Sequence, residues 1–233
     1  MSDTRSAAWD QYAQTKPQRR PMNARGESTW FNWTQYADHG PGAEVLGLKP
    51  GEAALDLGCG AGGNAAHLAR LGMRVVGIDL SPKQLAKARD RWPDADGMEL
   101  RQGDALTCLG EARTVFDAIY SVFGAGWFSD PGLLLPIIHA NLKPGGVFAM
   151  SQRPPVEGCY GCQASYIPRG PDEDPAVVKR WDYEPDVWVL ILKKYGYVDV
   201  SASVIAPPPG TRRTGTLFVR GVRGGSNACC RED

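Results

Sequence analysis

The stretch "AALDLGCGAGGNAAHLARLGMRVVGIDLSP", Ala53 to Pro82, decides the fold. Gly58, Gly60 and Gly63 fit the spacing G-x-G-x-x-G, and an acid, Asp79, follows about twenty residues after the first glycine, as in nucleotide-binding strand–loop–helix units. The glycines alone leave the ligand open: a dinucleotide, a nucleoside triphosphate or something else. Asp56, two positions before Gly58 at the end of the first strand, narrows it. A carboxylate facing the loop repels a pyrophosphate and attracts an ammonium or sulfonium cation. The loop also lacks the Lys-Ser/Thr pair that holds a triphosphate and its metal. A cationic cofactor fits best.

Apolar β-rich runs alternate with helical patterns from about Ala53 to Ser151, the signature of an α/β fold with a mostly parallel sheet and helices on both faces. The expected strands are Ala53–Leu57, Arg74–Asp79, Met98–Gln102, Phe116–Ser121 and Gly146–Ser151. Ala65, Leu68 and Ala69 share one helical face, with Gly72 as the stop. Ser81 is an expected N-cap, with Pro82 in the first helical position. "NLKPGG" (141–146) reads as the turn before the fifth strand. "PDVWVLILKKYG" reads as a helix ended by Gly196, and "YVDVSASVI" and "TGTLFVRGV" as an antiparallel pair across a Pro-rich turn. Asp104, in "RQGDAL", lies just past the third strand, so three successive strands end in or beside Asp. Its carboxylate is placed to accept from an adenine amino group, with the Ala105 N–H on a ring nitrogen.

The chain has 233 residues, enough for one α/β domain and short for two independent cores. Lys plus Arg (26) equals Asp plus Glu (26), so no long-range field favours a nucleic acid. No apolar run reaches the roughly eighteen residues of a membrane span, and the beginning, "MSDTRSAAWDQYAQTKPQRRP", shows no secretory h-region. A soluble, cytoplasmic protein, monomer or homodimer, is expected. Its six cysteines are too few and too irregular for a disulfide framework. Cys159 and Cys162 have metal-knuckle spacing, and Cys229 with Cys230 would complete four sulfurs, but a second C-x-x-C is missing and no metal is expected.

Taken together, "LDLGCGAGG", "GIDLSPKQLAKAR", "GDAL", "FDAIYSVFG" and "LKPGGVFAMS", in this order, make the chain resemble the class I S-adenosylmethionine-dependent methyltransferases over Gly51 to Val222. The resemblance implies a Rossmann-like seven-stranded sheet whose last strand is antiparallel and inserted between the fifth and sixth. It implies S-adenosyl-L-methionine as cofactor, with S-adenosyl-L-homocysteine as product. The implied cofactor residues are Asp56, Gly58 and Gly60 on the methionine portion, Asp79 at the ribose, Asp104 and Ala105 at the adenine and the backbone near Ser121 at the amino-acid end, with Cys59, Leu80, Gln84 and Val122 as further cofactor contacts. The fourth strand ends in "YSVFG" and not in the D/N-P-P-Y of enzymes acting on nucleic-acid amines.

Residues 1–47 and 152–184 fall outside the sheet pattern, carry many aromatics and are expected to cap a domain spanning 48–223; residues 224–233 read as a frayed tail. Trp30, Trp33, Tyr36, Trp127, Tyr160, Tyr166 and Trp181 are the expected wall for a small aromatic or apolar acceptor methylated on oxygen, nitrogen or carbon. Packing of the caps onto the domain explains the same aromatics equally well. Of three histidines, His39 in the first cap is the best-placed base, while His67 and His139 read as structural. The alternatives are a protein of this fold that uses the cofactor structurally in a cyclisation or rearrangement, and a non-catalytic cofactor-binding subunit.

Overall fold

The structure is a computed structural model and describes residues 4–15, 20–111, 114–168, 173–211 and 214–225; Cys229, Cys230 and the expected tail from 226 onward lie outside them. A seven-stranded sheet runs in the order β3 (Met98–Gln102), β2 (Arg74–Asp79), β1 (Ala53–Leu57), β4 (Phe116–Val122), β5 (Leu142–Gln152), β9 (Thr216–Arg223), β8 (Tyr197–Ile205). Strands β1 to β5 pair in parallel, and β9 is antiparallel to both β5 and β8. The last strand thus sits between the fifth and sixth of the sheet, as expected from the resemblance. The first three strands have the expected bounds. The fifth starts earlier, because Leu142 already pairs with Phe116 and the Pro-Gly-Gly that reads as a turn is accommodated as an irregularity in the β4–β5 register.

Side-chain alternation along the strands divides the core in two. Leu55, Leu57, Ile119 and Phe148 face α4 (Ala105–Gly110), α6 (Pro131–Asn141) and α7 (Pro185–Lys194). Ala54, Ala118, Tyr120 and Ala149 face α2 (Gly63–Arg70) together with Phe31, Trp33 and Leu46 from the N-terminal segment. Alongside α2 lies α3 (Pro82–Arg91), which begins as its sequence dictates: Ser81 caps it by accepting from the Gln84 N–H at 3.1 Å, and Pro82 opens the first turn. Packing therefore continues across the expected boundary at 47/48.

Two features were not legible. Residues 161–182, read as a Pro- and Gly-rich loop, form a separate antiparallel pair, β6 (Gly161–Ile167) and β7 (Ala176–Asp182). Its Ile167 and Ala176 pack on Ala8 of α1 (Thr4–Thr15). That helix has no apolar stripe; Ala8 and Ala13 are buried, and it docks through these small side chains, the partly buried Trp9 and Tyr12, and polar bonds. Among the described residues no helix is long and apolar enough to cross a membrane.

Candidate active site

Asp56 is the penultimate residue of β1 and Asp79 the last of the neighbouring β2, and the loop Gly58–Gly62 follows β1 beside them. All three loop glycines have positive φ, at 79°, 54° and 70° for Gly58, Gly60 and Gly62. Their reasons differ. A Cβ on Gly58 would lie 2.6 Å from the Ala125 N of α5 (Ala125–Phe128), so this glycine admits the neighbouring loop after β4. At Gly60 a Cβ would meet nothing nearer than Gln84 at 4.0 Å, and the surface there is open to a ligand.

The loop is held by the acid that the spacing singled out. One Asp79 oxygen accepts from the Gly60 N–H and the other from the Ser81 N–H, each at 2.8 Å. Burial raises the Asp79 pKa, those two donors oppose the rise, and the Asp10 carboxylate of α1 adds to it. Asp10 itself accepts from the Ser81 hydroxyl at 2.5 Å, which brings α1 across the turn into α3.

Asp56 is 3 % exposed, and burial pushes its pKa up to about 7, with the Asp79 charge adding to the rise. The parallel register sets Asp56 directly beside Tyr120 on β4. The phenol tempers the shift, yet its hydroxyl closes no hydrogen bond of ordinary geometry. Neither Asp56 nor Asp79 forms an ion pair. A buried carboxylate beside a half-buried one is costly without a cation unless a positive ligand completes the pair, and that fits a sulfonium. The Cys59 thiol beside them is raised well above its ordinary value, by burial first and then by both acids, so it stays a protonated, unreactive thiol.

A cavity of about 1030 Å³ opens here, lined by Asp56, Gly58, Cys59, Gln84 and Val122 among the expected residues. It also takes in Tyr12, Asn32 and Asn64, which the motif left out. Asn32 and Asn64 clasp the N-terminal segment to the start of α2: the Asn32 N–H donates to Asn64 Oδ1 at 3.1 Å, and Asn64 Nδ2 to the Asn32 carbonyl at 3.2 Å. Ser121 is buried; its hydroxyl donates to the Leu57 carbonyl at 2.7 Å and accepts from the Gly126 N–H at 2.9 Å, locking the ends of β1, β4 and α5. Asp104 caps α4 through the Leu106 and Thr107 N–H groups, and neither it nor Leu80 nor Ala105 lines this cavity.

The aromatic wall is rearranged. None of Trp30, Trp33, Tyr36, Trp127, Tyr160, Tyr166 and Trp181 lines the cavity. Trp33 is fully buried, its indole N–H on the Gly42 carbonyl at 2.8 Å, and the Tyr36 hydroxyl donates to the Thr214 carbonyl at 2.7 Å. Tyr160 and Tyr166 are exposed, with the Tyr160 hydroxyl on Glu184, and Trp181 lies half-buried opposite Cys162 on the β6–β7 pair. Of the expected wall, Trp127 joins an aromatic group, with Phe128 at 5.0 Å, Phe123 at 6.2 Å and, against Phe128, Trp9 at 4.6 Å. Trp9 in turn meets the cavity residue Tyr12 at 5.9 Å. Asp182, 2 % exposed, fixes Trp127 by accepting from its indole N–H at 2.8 Å while its other oxygen takes Arg180 Nε at 2.8 Å. Trp127→Phe deletes one of those bonds, and chemical denaturation should show a loss of about 1–2 kcal/mol.

His39, the expected base, lies apart from the first cavity. Its Nε2–H donates to the Ala206 carbonyl at 2.7 Å, and the ring lines a second cavity, of about 770 Å³, together with His67. His139 packs on Tyr197 behind the sheet, at 5.1 Å. Among the described residues no histidine lines the first cavity. His39→Ala is therefore expected to cost about 1 kcal/mol of stability, the net value of one hydrogen bond, with calorimetric affinity for S-adenosylhomocysteine unchanged.

Residues 55–150 match the methyltransferase domain family. Demethylmenaquinone methyltransferase of Tropheryma whipplei is 31% identical over 175 residues, covering 68% of this chain and 71% of that protein. Trans-aconitate 2-methyltransferase of Methylobacterium radiotolerans is 38% identical over 115 residues, 47% of this chain and 42% of that protein. For the curated relatives matched over the shared core, the alignment spans about half of their length, 50% and 42% in two of them. In fold, the chain is similar to a 1,6-didemethyltoxoflavin-N1-methyltransferase of Burkholderia thailandensis, solved with 1,6-didemethyltoxoflavin and S-adenosylhomocysteine, with a TM-score of 0.58 at 20% identity over 78% of this chain and 74% of that one.

Proposed function

Because the chain belongs to the class I S-adenosylmethionine-dependent methyltransferases, we propose that it methylates an oxygen, nitrogen or carbon of a small aromatic or apolar specialised metabolite. The observation that carries this reading is the buried Asp56 beside the half-buried Asp79, with no cation paired to either, at a glycine loop whose Gly60 has open space where a side chain would lie. S-adenosylmethionine, when bound, supplies an activated methyl group on a positively charged sulfur.

The chain's own residues supply placement. Asp79 presents acceptor lone pairs toward ribose hydroxyls while keeping Gly60 in register. Asp56 offers the countercharge, Gly58 and Gly60 the backbone approach, and Asp104 with Ala105 the adenine contacts, with Ser121 and Val122 at the amino-acid end. Among the described residues, Tyr12 and Trp92 are the aromatic residues lining the cavity and favour a flat ring, while Trp9, Trp127 and Phe128 back Tyr12 from outside it. Alignment of this kind supplies roughly 7–11 kcal/mol of a two-reactant barrier.

Calorimetry tests the cofactor half: heat with S-adenosylmethionine and S-adenosylhomocysteine and none with NADH is expected, and the opposite pattern overturns the reading. Transfer of labelled methyl to members of an aromatic acceptor panel tests the chemistry. Product formed without S-adenosylhomocysteine would instead mark a rearrangement catalyst.

A further inference from the structure

The cavity has two chemically different ends. Asp56 and the glycine loop form the inner one; the outer one, between α2, α3 and residues 20–34, is lined by Arg70, Lys87 and Arg91 around Trp92. None of these three cations pairs with a carboxylate. Arg70 Nη1 donates to the Ser28 hydroxyl at 2.9 Å, Arg91 Nη2 to the Arg20 carbonyl at 2.9 Å, and Lys87 Nζ to the Ala13 carbonyl. Neutral acceptors leave the charge uncompensated. Trp92 is buried and anchored by its indole N–H on the Ala61 carbonyl at 2.9 Å. The Arg91 guanidinium lies 4.8 Å and that of Arg70 5.6 Å from the indole centroid, so one ring steadies two planar cations. Each guanidinium carries five N–H donors, and each uses one here on the protein. Among the described residues, the exposed Asp90 is the one acid lining this end against three bases.

We propose that this outer end is an oxyanion site, holding a phosphate or carboxylate group carried by the acceptor; the link to the acceptor rests on the methyltransferase reading. Two clamped guanidinium forks and an ammonium suit a multidentate anion, for which charge-assisted bonds are short and strong. The acidic inner end repels the same group. An acceptor with one anionic end is thereby oriented, its reactive ring directed away from Arg91 and toward Tyr12.

The test titrates the full chain with inorganic phosphate and with phenyl phosphate at constant ionic strength, following heat and the Trp92 indole N–H resonance. Saturable binding is expected, tighter for phenyl phosphate, and roughly tenfold weaker in R91Q, K87Q or R70Q through loss of a charge-assisted contact. S28A, which removes the Arg70 bond but no charge, should bind as the parent does and so separates charge from clamping of the N-terminal segment. Absent saturation, equal affinities in parent and charge variants, or full reproduction by chloride overturns the site. Equal affinity for the two probes overturns its assignment to the acceptor. Each protein is also titrated with S-adenosylmethionine: binding of that ligand without phosphate binding sinks the oxyanion site alone, and phosphate binding without it sinks the methyltransferase reading alone.

Discussion

Replacing Asp56 by Asn is expected to raise the melting temperature at about pH 8, to change it little at about pH 4, and to weaken S-adenosylmethionine more than S-adenosylhomocysteine. The folded-state pKa is raised to about 7 from an ordinary 3.8. Folding therefore takes up a proton between those values, and the folded state loses stability as pH climbs from the lower to the higher. Above the folded pKa the penalty is complete, at about 4 kcal/mol for a shift of this size. Asn keeps the shape and discards the charge, so the stability gap between variant and parent should widen through that window. Binding runs the other way. A sulfonium stabilises the ionised carboxylate, so its affinity in the parent should rise with pH across neutrality with release of a proton, whereas the neutral thioether should show far less of both. A stability gap independent of pH, or equal losses for the two ligands, would refute the role given to Asp56.

Asp79→Ala has a different signature. The ribose is common to both ligands, so both affinities should fall together, by about 2–3 kcal/mol, or on the order of 30- to 150-fold. Part of this loss comes from the loop itself, since the Gly60 and Ser81 N–H groups lose their acceptor. Asp79→Asn, which retains one acceptor oxygen, should fall between. Calorimetry on the two ligands in parallel separates this pattern from that of Asp56, and unchanged affinity for both would mean that the ribose is held elsewhere.

What was readable in advance followed local rules. Ser81 and Pro82 announced α3 because an N-cap side chain and a fixed φ act within one turn. The acids at the strand ends were readable because period-two strands and tight glycine turns leave little freedom in where such residues emerge. The aromatic wall was not. Trp33 and Trp127 look alike as members of a Trp-rich chain, yet one is sealed in the core with its N–H on Gly42 and the other is pinned by Asp182 from a strand 55 residues away.

The amino-acid sequence by itself determined the strand–loop–helix unit, the placement of Asp56 and Asp79 at its mouth and the family to which the chain belongs, because each depends on residues close together along the backbone. Tertiary structure alone decided that Tyr120 stands beside Asp56, that His39 faces Ala206 and a different cavity, and that Arg70, Lys87 and Arg91 converge on Trp92. Those arrangements depend on strand register and on where a helix without an apolar stripe comes to rest, and both are set by packing between segments far apart in the chain.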